Sequence, residues 1–111
     1  MSTTESLIGK RVAVRANDFV DAASSGRIQL IELDSNSVLI ELDRPVESNG
    51  LRYTRVVASP RLARDSLATL LSTGTLGCGV TWIPDNRFSV SSPFDLSWWR
   101  GGATAITDIV L

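Results

Sequence analysis

The sequence predicts a mainly β protein of the α+β kind, a small and strongly bent antiparallel sheet with one helix near residues 60–73. Three observations carry that prediction. Apolar and polar residues alternate with a period of two in several short stretches. Turn-forming residues separate those stretches. Only one segment spaces its leucines as a helix does. With 111 residues, the chain is the size of one domain with one hydrophobic core, so residues 1–111 are read as a single unit with a flexible arm over residues 1–8.

From Lys10 to Ala16 the order places Val12 and Val14 on one face and Arg11 and Arg15 on the other, as a half-buried strand requires. A polar loop, Asn17 to Ser25, follows. Arg27 to Asp34 is the second strand, but its apolar residues Ile28, Leu30, Ile31 and Leu33 change face midway, which predicts a bulge or bend near Leu30. Asp34-Ser35-Asn36-Ser37 has side chains that bond their own backbone in a tight turn. Val38 to Asp43 then alternates again, completing a hairpin. Pro45 argues against further pairing, Asn49-Gly50 supplies a turn, and Leu51 to Ser59 is a fourth strand.

Ser59-Pro60 has the chemistry of a helix start, a capping hydroxyl before a proline whose missing N–H costs nothing there. Asp65 is a competing start about one turn later. Ala63, Leu67, Leu70 and Leu71 share one helical face, and Gly74 is suited to terminate it. Beyond it, Gly79 to Ile83 and Arg87 to Ser91 flank Pro84-Asp85-Asn86 and read as another hairpin, while Ala103 to Leu111 suits a closing strand.

Charge excludes some functions and leaves others. The formal net charge is −1, so no overall field drives attachment to nucleic acid or to an anionic membrane. The N-terminus has neither a basic nor an apolar leader segment, and Cys78 is the only cysteine, so the expected compartment is the cytoplasm and no membrane partner is expected. Ser66 to Pro84 carries no charge, yet its Ser, Thr and Gly content fits buried soluble structure better than a membrane span.

The order GKRVAVR, SGRIQLIELDSNSVLIELD, LRYTRVV resembles the SH3-like small barrels, above all their KOW and Tudor-like group. Val12, Val14, Gly26, Arg27 and Ile28 carry the resemblance, which spans about residues 8–58. The loop from Asn17 to Ser25 departs from it, since KOW segments usually carry glycines there. The resemblance implies an architecture of short bent strands, one that hosts RNA-binding, peptide-binding and purely structural roles alike.

The absence of histidine removes His-dependent triads and His-bearing zinc sites, and one cysteine cannot build a Cys-rich metal site. Cys78, between Gly77 and Gly79, reads as a small buried thiol. Gly74, Gly77 and Gly79 follow a helix instead of opening one, so they do not form a phosphate loop. Glu32 with Glu41, or Asp34 with Asp43, face each other across the predicted hairpin; such carboxylate pairs serve acid–base chemistry or merely form a solvated face. No catalytic set, cofactor or metal is expected.

Two local features remain. Ile28 to Glu47 holds Glu32, Asp34, Glu41, Asp43 and Glu47 against Arg44 alone, whereas Gly50 to Arg64 holds Arg52, Arg55, Arg61 and Arg64 with no acid. These stretches either neutralise each other as cross-strand pairs or form separate binding surfaces. Trp82, Phe88, Phe94, Trp98 and Trp99 crowd the C-terminal third, and Trp98-Trp99-Arg100 combines residue types enriched at interaction hot spots.

The first expectation is therefore a non-enzymatic protein-interaction module, of the kind of a bacterial immunity or adaptor protein. It would bind another protein or a second copy through Trp98, Trp99, Arg100, Glu32, Glu41 and Asp43. The alternative is a nucleic-acid-binding barrel that uses Arg11, Arg15, Arg52 and Arg55 with Tyr53 as a stacking ring.

Overall fold

Each alternating stretch becomes a strand, and the strands follow one another around a ring. The computed structural model describes residues 4–15, 23–34, 36–48, 50–60, 67–95 and 105–110. Six strands, β1 (Arg11–Arg15), β2 (Ala23–Glu32), β3 (Ser37–Ser48), β4 (Leu51–Pro60), β5 (Thr75–Pro84) and β6 (Ala105–Val110), form a closed barrel in sequence order. Every neighbour is antiparallel, and β6 returns to β1 with Ala13 opposite Val110 and Val14 opposite Ile109. Closure pairs both sheet edges, which removes the exposed strand that would otherwise invite aggregation. In general shape this is an SH3-like small barrel.

The period-two alternation fills the inside. Val12 and Val14, Ile28, Val38, Ile40 and Leu42, Val56 and Ala58, Leu76, Cys78, Val80 and Trp82, and Ile109 are buried together in one core that all six strands supply. Leu7, Leu67 and Leu70 join the same core from outside the sheet. Leu7 belongs to a 3-10 turn, Thr4–Leu7, within the stretch expected to be a flexible arm, and it is fully buried.

The bend expected near Leu30 is a register shift between Ile28 and Leu30 against β3. It lets Ile31 pack on the core while Leu30 stays exposed. Gly26, opposite Leu42, is required by close approach: a Cβ there would lie 2.3 Å from the Glu41 carbonyl oxygen and 2.9 Å from Ile40 Cγ2. The turn into β3 has Asn36 at φ 54° with its N–H donating to the Leu33 carbonyl at 3.2 Å.

Three expectations are corrected. Pro45 does not end β3; pairing with β4 lapses after Glu41 and resumes at Val46, so the proline sits in an irregularity that needs no donor from it. Ser59 and Pro60 do not start the helix. They finish β4, opposite Gly79 and Cys78, and proline is tolerated at a strand end. The described helix, α1, is Leu67–Thr73, and Gly74 closes it as expected, at φ 77° with its N–H donating to the Leu70 carbonyl at 2.9 Å.

The third correction is the hairpin over Pro84-Asp85-Asn86. Asp85–Arg87 is a 3-10 turn, and Phe88 to Ser91 form no strand. β5 pairs with β4 and β6 instead, and the closing strand expected over Ala103 to Leu111 is β6. The uncharged stretch Ser66 to Pro84 builds α1 and β5. Among the described residues no helix is long and apolar enough to cross a membrane.

Candidate functional site

The inward side chains of the barrel form its core, and the candidate site is built from the side chains of the outer wall. Side chains of opposite parity to the core point there, and on β1 to β4 they are largely charged. Arg11 lies opposite Arg27, a like-charge juxtaposition on its own. It is relieved because Arg11 Nη2 donates to Asp43 Oδ2.

Glu41 is flanked in register by Arg27 on β2 and Arg55 on β4. Its carboxylate stands 3.7 Å from Arg55 Nη2 and accepts from Gln29 Nε2 at 3.4 Å. Glu47 lies opposite Arg52. Cross-strand pairing of β3 with β4, one of the two arrangements the sequence left open, is thus seen at Glu41 and Arg55, whereas Arg52, although opposite Glu47, stands beside Asp85. The carboxylate pairings expected from the hairpin do not form: Glu32 lies opposite Ser37, and Asp34 belongs to the turn beyond the ladder. The turn closes tightly at Leu33–Asn36, so Glu41 falls opposite Arg27 and not opposite Glu32.

The outer wall also carries a second apolar cluster. Leu39, Val57 and Ile83 are buried on the outside of β3, β4 and β5, and Phe88 and Phe94 pack against them. The segment after β5 thus folds back over the sheet. Two contacts hold its start: Asp85 accepts from Thr54 Oγ1 at 2.7 Å and lies 3.5 Å from Arg52 Nε. The Arg55 guanidinium stacks over Phe88 at 4.1 Å from the ring centre. Arg55 Nε is buried without a hydrogen-bond partner, so the stacking compensates a cation that is only partly satisfied.

This outer cluster was missed in the sequence, although a signal was there. Val38-Leu39-Ile40, Val56-Val57-Ala58 and Trp82-Ile83 are continuous apolar runs, the mark of strands covered on both faces.

Of the residues expected to contact a partner, Glu32, Glu41 and Asp43 lie on the described wall, and Trp98, Trp99 and Arg100 lie outside the described residues. Of the residues expected to bind nucleic acid, Arg11, Arg52 and Arg55 each stand beside a carboxylate. Tyr53 packs against the core with its ring edge-on to Trp82, at 6.4 Å between centroids. Arg15 is opposite Ala23 and Asp108 in the ladder. Cys78 is buried in β5. Among the described residues no three His, Cys, Asp or Glu side chains group as a metal site would.

Among the described residues the exposed large apolar side chains include Ile8, Leu30 and Leu33, 50, 41 and 61% exposed. The Gly9 N–H donates to the Ile28 carbonyl at 2.7 Å, and the Lys10 N–H to the Leu7 carbonyl at 3.0 Å, so Ile8 stands at the tip of a turn beside β2. Leu33 follows at the β2–β3 turn. Comparison with family models, with curated proteins and with solved structures finds no match.

Proposed function

We propose that this chain is a non-enzymatic protein-interaction module that works through the outside of its barrel. The observation that carries the reading is the shared core: all six strands direct apolar side chains, Trp82 among them, into it, and Leu7, Leu67 and Leu70 join them. Small-molecule sites in barrels need a lumen or a mouth with convergent polar groups. Contact at the wall is the use that this packing favours.

The Trp98-Trp99-Arg100 run supplies the residue types that dominate binding energy at interfaces. Glu32, Glu41 and Asp43 are the acidic members of the proposed surface, the last two already paired with Arg55 and Arg11. Pairing of Arg11, Arg52 and Arg55 with carboxylates weighs against the Arg patch as a phosphate-binding surface, because a paired guanidinium releases fewer counterions on binding. A bacterial immunity or adaptor role, and a kinship to the KOW and Tudor-like barrels, are finer forms of the same reading. They are supported only by chain size and by the Val12, Val14, Gly26, Arg27 and Ile28 pattern.

Affinity capture followed by quantitative mass spectrometry tests the proposal. The intact chain should enrich a defined protein that a folded Trp98→Ala, Trp99→Ala variant fails to enrich. Equal recovery by both chains, or salt-sensitive recovery of nucleic acid in place of protein, would overturn it.

A further inference from the structure

We infer that the outer wall over β3, β4 and β5 is a docking surface held closed by the chain's own segment from Asp85 to Asp95, and that its partner is a protein presenting a carboxylate three residues before an aromatic ring. The inference rests on the reading that the chain acts through its outer wall, and it names a surface other than the Trp98-Trp99-Arg100 run.

This surface has an apolar body and a polar end. Leu39 lies opposite Val57, and Ile83 opposite Arg55, in the ladders. Leu39, Val57 and Ile83 form the cluster against which Phe88 and Phe94 pack. At the polar end, Thr54 bulges from the β4–β5 ladder between Tyr53 and Arg55. A bulge takes a side chain out of the alternation of its strand, and here Thr54 Oγ1 accepts from Arg55 Nη1 at 3.4 Å. Arg52, Thr54 and Arg55 thus offer hydrogen-bond donors next to an apolar patch.

The segment seated on the wall shows which chemistry fits it. Asp85 accepts from Thr54 Oγ1 at 2.7 Å and stands 3.5 Å from Arg52 Nε, and three residues later the Phe88 ring lies against the Arg55 guanidinium. A carboxylate followed at that spacing by a ring matches the wall in both charge and shape. A basic segment would meet Arg52 and Arg55 with like charge.

The seat is one that a competitor can take. From Asp85 to Asp95 the chain adds no strand to the sheet, and the Ser92 N–H and Asp95 N–H donate at 3.2 and 3.1 Å to the Ser89 and Ser92 carbonyls, inside the segment itself. The Arg52 and Asp85 side chains are 57 and 40% exposed, so their contact is open to an incoming carboxylate and weak on its own. The tether supplies the advantage of the resident segment, since a covalently attached segment acts at an effective concentration of about 1 mM. A partner protein overcomes it by adding contacts elsewhere on the wall.

Fluorescence anisotropy with a labelled synthetic peptide of residues 84–95, added to the full chain, reads the exchange. Asp85→Ala, Phe88→Ala loosens the resident segment and should bind the peptide at least about tenfold more tightly than wild type, because a larger fraction of chains has the wall free. A peptide with alanine at the positions of Asp85 and Phe88 should lose that binding. Methyl NMR shifts should fall on Leu39, Val57 and Ile83. Thermal unfolding would show that the variant folds, and Asp85→Ala alone supplies the same comparison if it does not.

No binding to the loosened chain, equal binding by wild type, indifference to the alanine peptide, or shifts confined to other methyl groups would overturn the inference. Any of these in a chain that still enriches a protein through Trp98 and Trp99 would remove the closed docking surface while leaving the interaction-module reading in place.

Discussion

The Arg55 guanidinium lies over the Phe88 ring, 4.1 Å from its centre, and so ties the segment after β5 to the outer face of β4. One cation thereby serves two elements, since the same side chain reaches Glu41 on β3 at 3.7 Å. Removing the ring should loosen the outer cluster without opening the barrel. Phe88→Ala is expected to cost about 1–3 kcal/mol, below the value for a fully buried phenylalanine because Phe88 is half-buried. Urea unfolding checks the magnitude. Arg55→Lys should lose the planar stacking while keeping the charge and cost about 0.5–1 kcal/mol.

Gly26 is fixed by the space around it. In Gly26→Ala the new methyl meets the Glu41 carbonyl oxygen and Ile40 Cγ2, and the first is backbone that cannot turn aside. A loss of about 1–3 kcal/mol is expected. Hydrogen exchange should accelerate first in the β2–β3 ladder around Leu42.

Leu70 joins α1 to the barrel core and is fully buried. Leu70→Ala should cost about 2–5 kcal/mol through lost burial and the cavity left behind, whereas Ile40→Val, also in the core, should cost about 0.5–1.5 kcal/mol. Chemical denaturation of the two variants would test whether the helix is part of the barrel's cooperative unit. If α1 packs only loosely, the first loss would fall to the size of the second.

Asp85 joins Thr54 and Arg52 at the surface. Asp85→Ala should cost no more than about 1 kcal/mol, because exposed ion pairs are screened and hold flexible side chains. Amide exchange at Arg87 and Phe88 should nonetheless rise. Added salt should narrow the difference from wild type.

Much of this architecture was legible locally. Alternation in Val12 and Val14, in Val38, Ile40 and Leu42, and around Val56 marked β1, β3 and β4, since a period of two over a short stretch is the signature of a half-buried strand. The double apolar step at Leu30 and Ile31 marked the bulge. Gly74 marked the end of the helix.

What failed depended on partners far along the chain. Ser59-Pro60 suits a helix start or a strand end equally, and only pairing with Gly79 and Cys78 decides between them. Pro84-Asp85-Asn86 suits a hairpin loop or a 3-10 turn. β5 is already paired on both sides, which leaves no place for a strand from Arg87 to Ser91, where Val90 is 86% exposed. A closing strand over Ala103 to Leu111 was expected, but its partners β1 and β5 were not, because no strand encodes its mate.

The candidate site was half legible. Whether the acidic and Arg-bearing stretches pair or stand apart was left open by the sequence, because the partners depend on register: the tight turn after Glu32 sets that residue opposite Ser37, which brings Glu41 opposite Arg27 on one side and, through the β3–β4 register, Arg55 on the other.

Closure between β1 and β6 underlies both the shared core and the continuous outer wall. Nuclear Overhauser measurements on the labelled chain test it directly. Cross-strand backbone contacts linking Ala13 with Val110 and Val14 with Ile109, together with slowly exchanging β1 and β6 amides, are the predicted result. Absence of those contacts, with β6 amides exchanging as fast as an unfolded peptide, would contradict it.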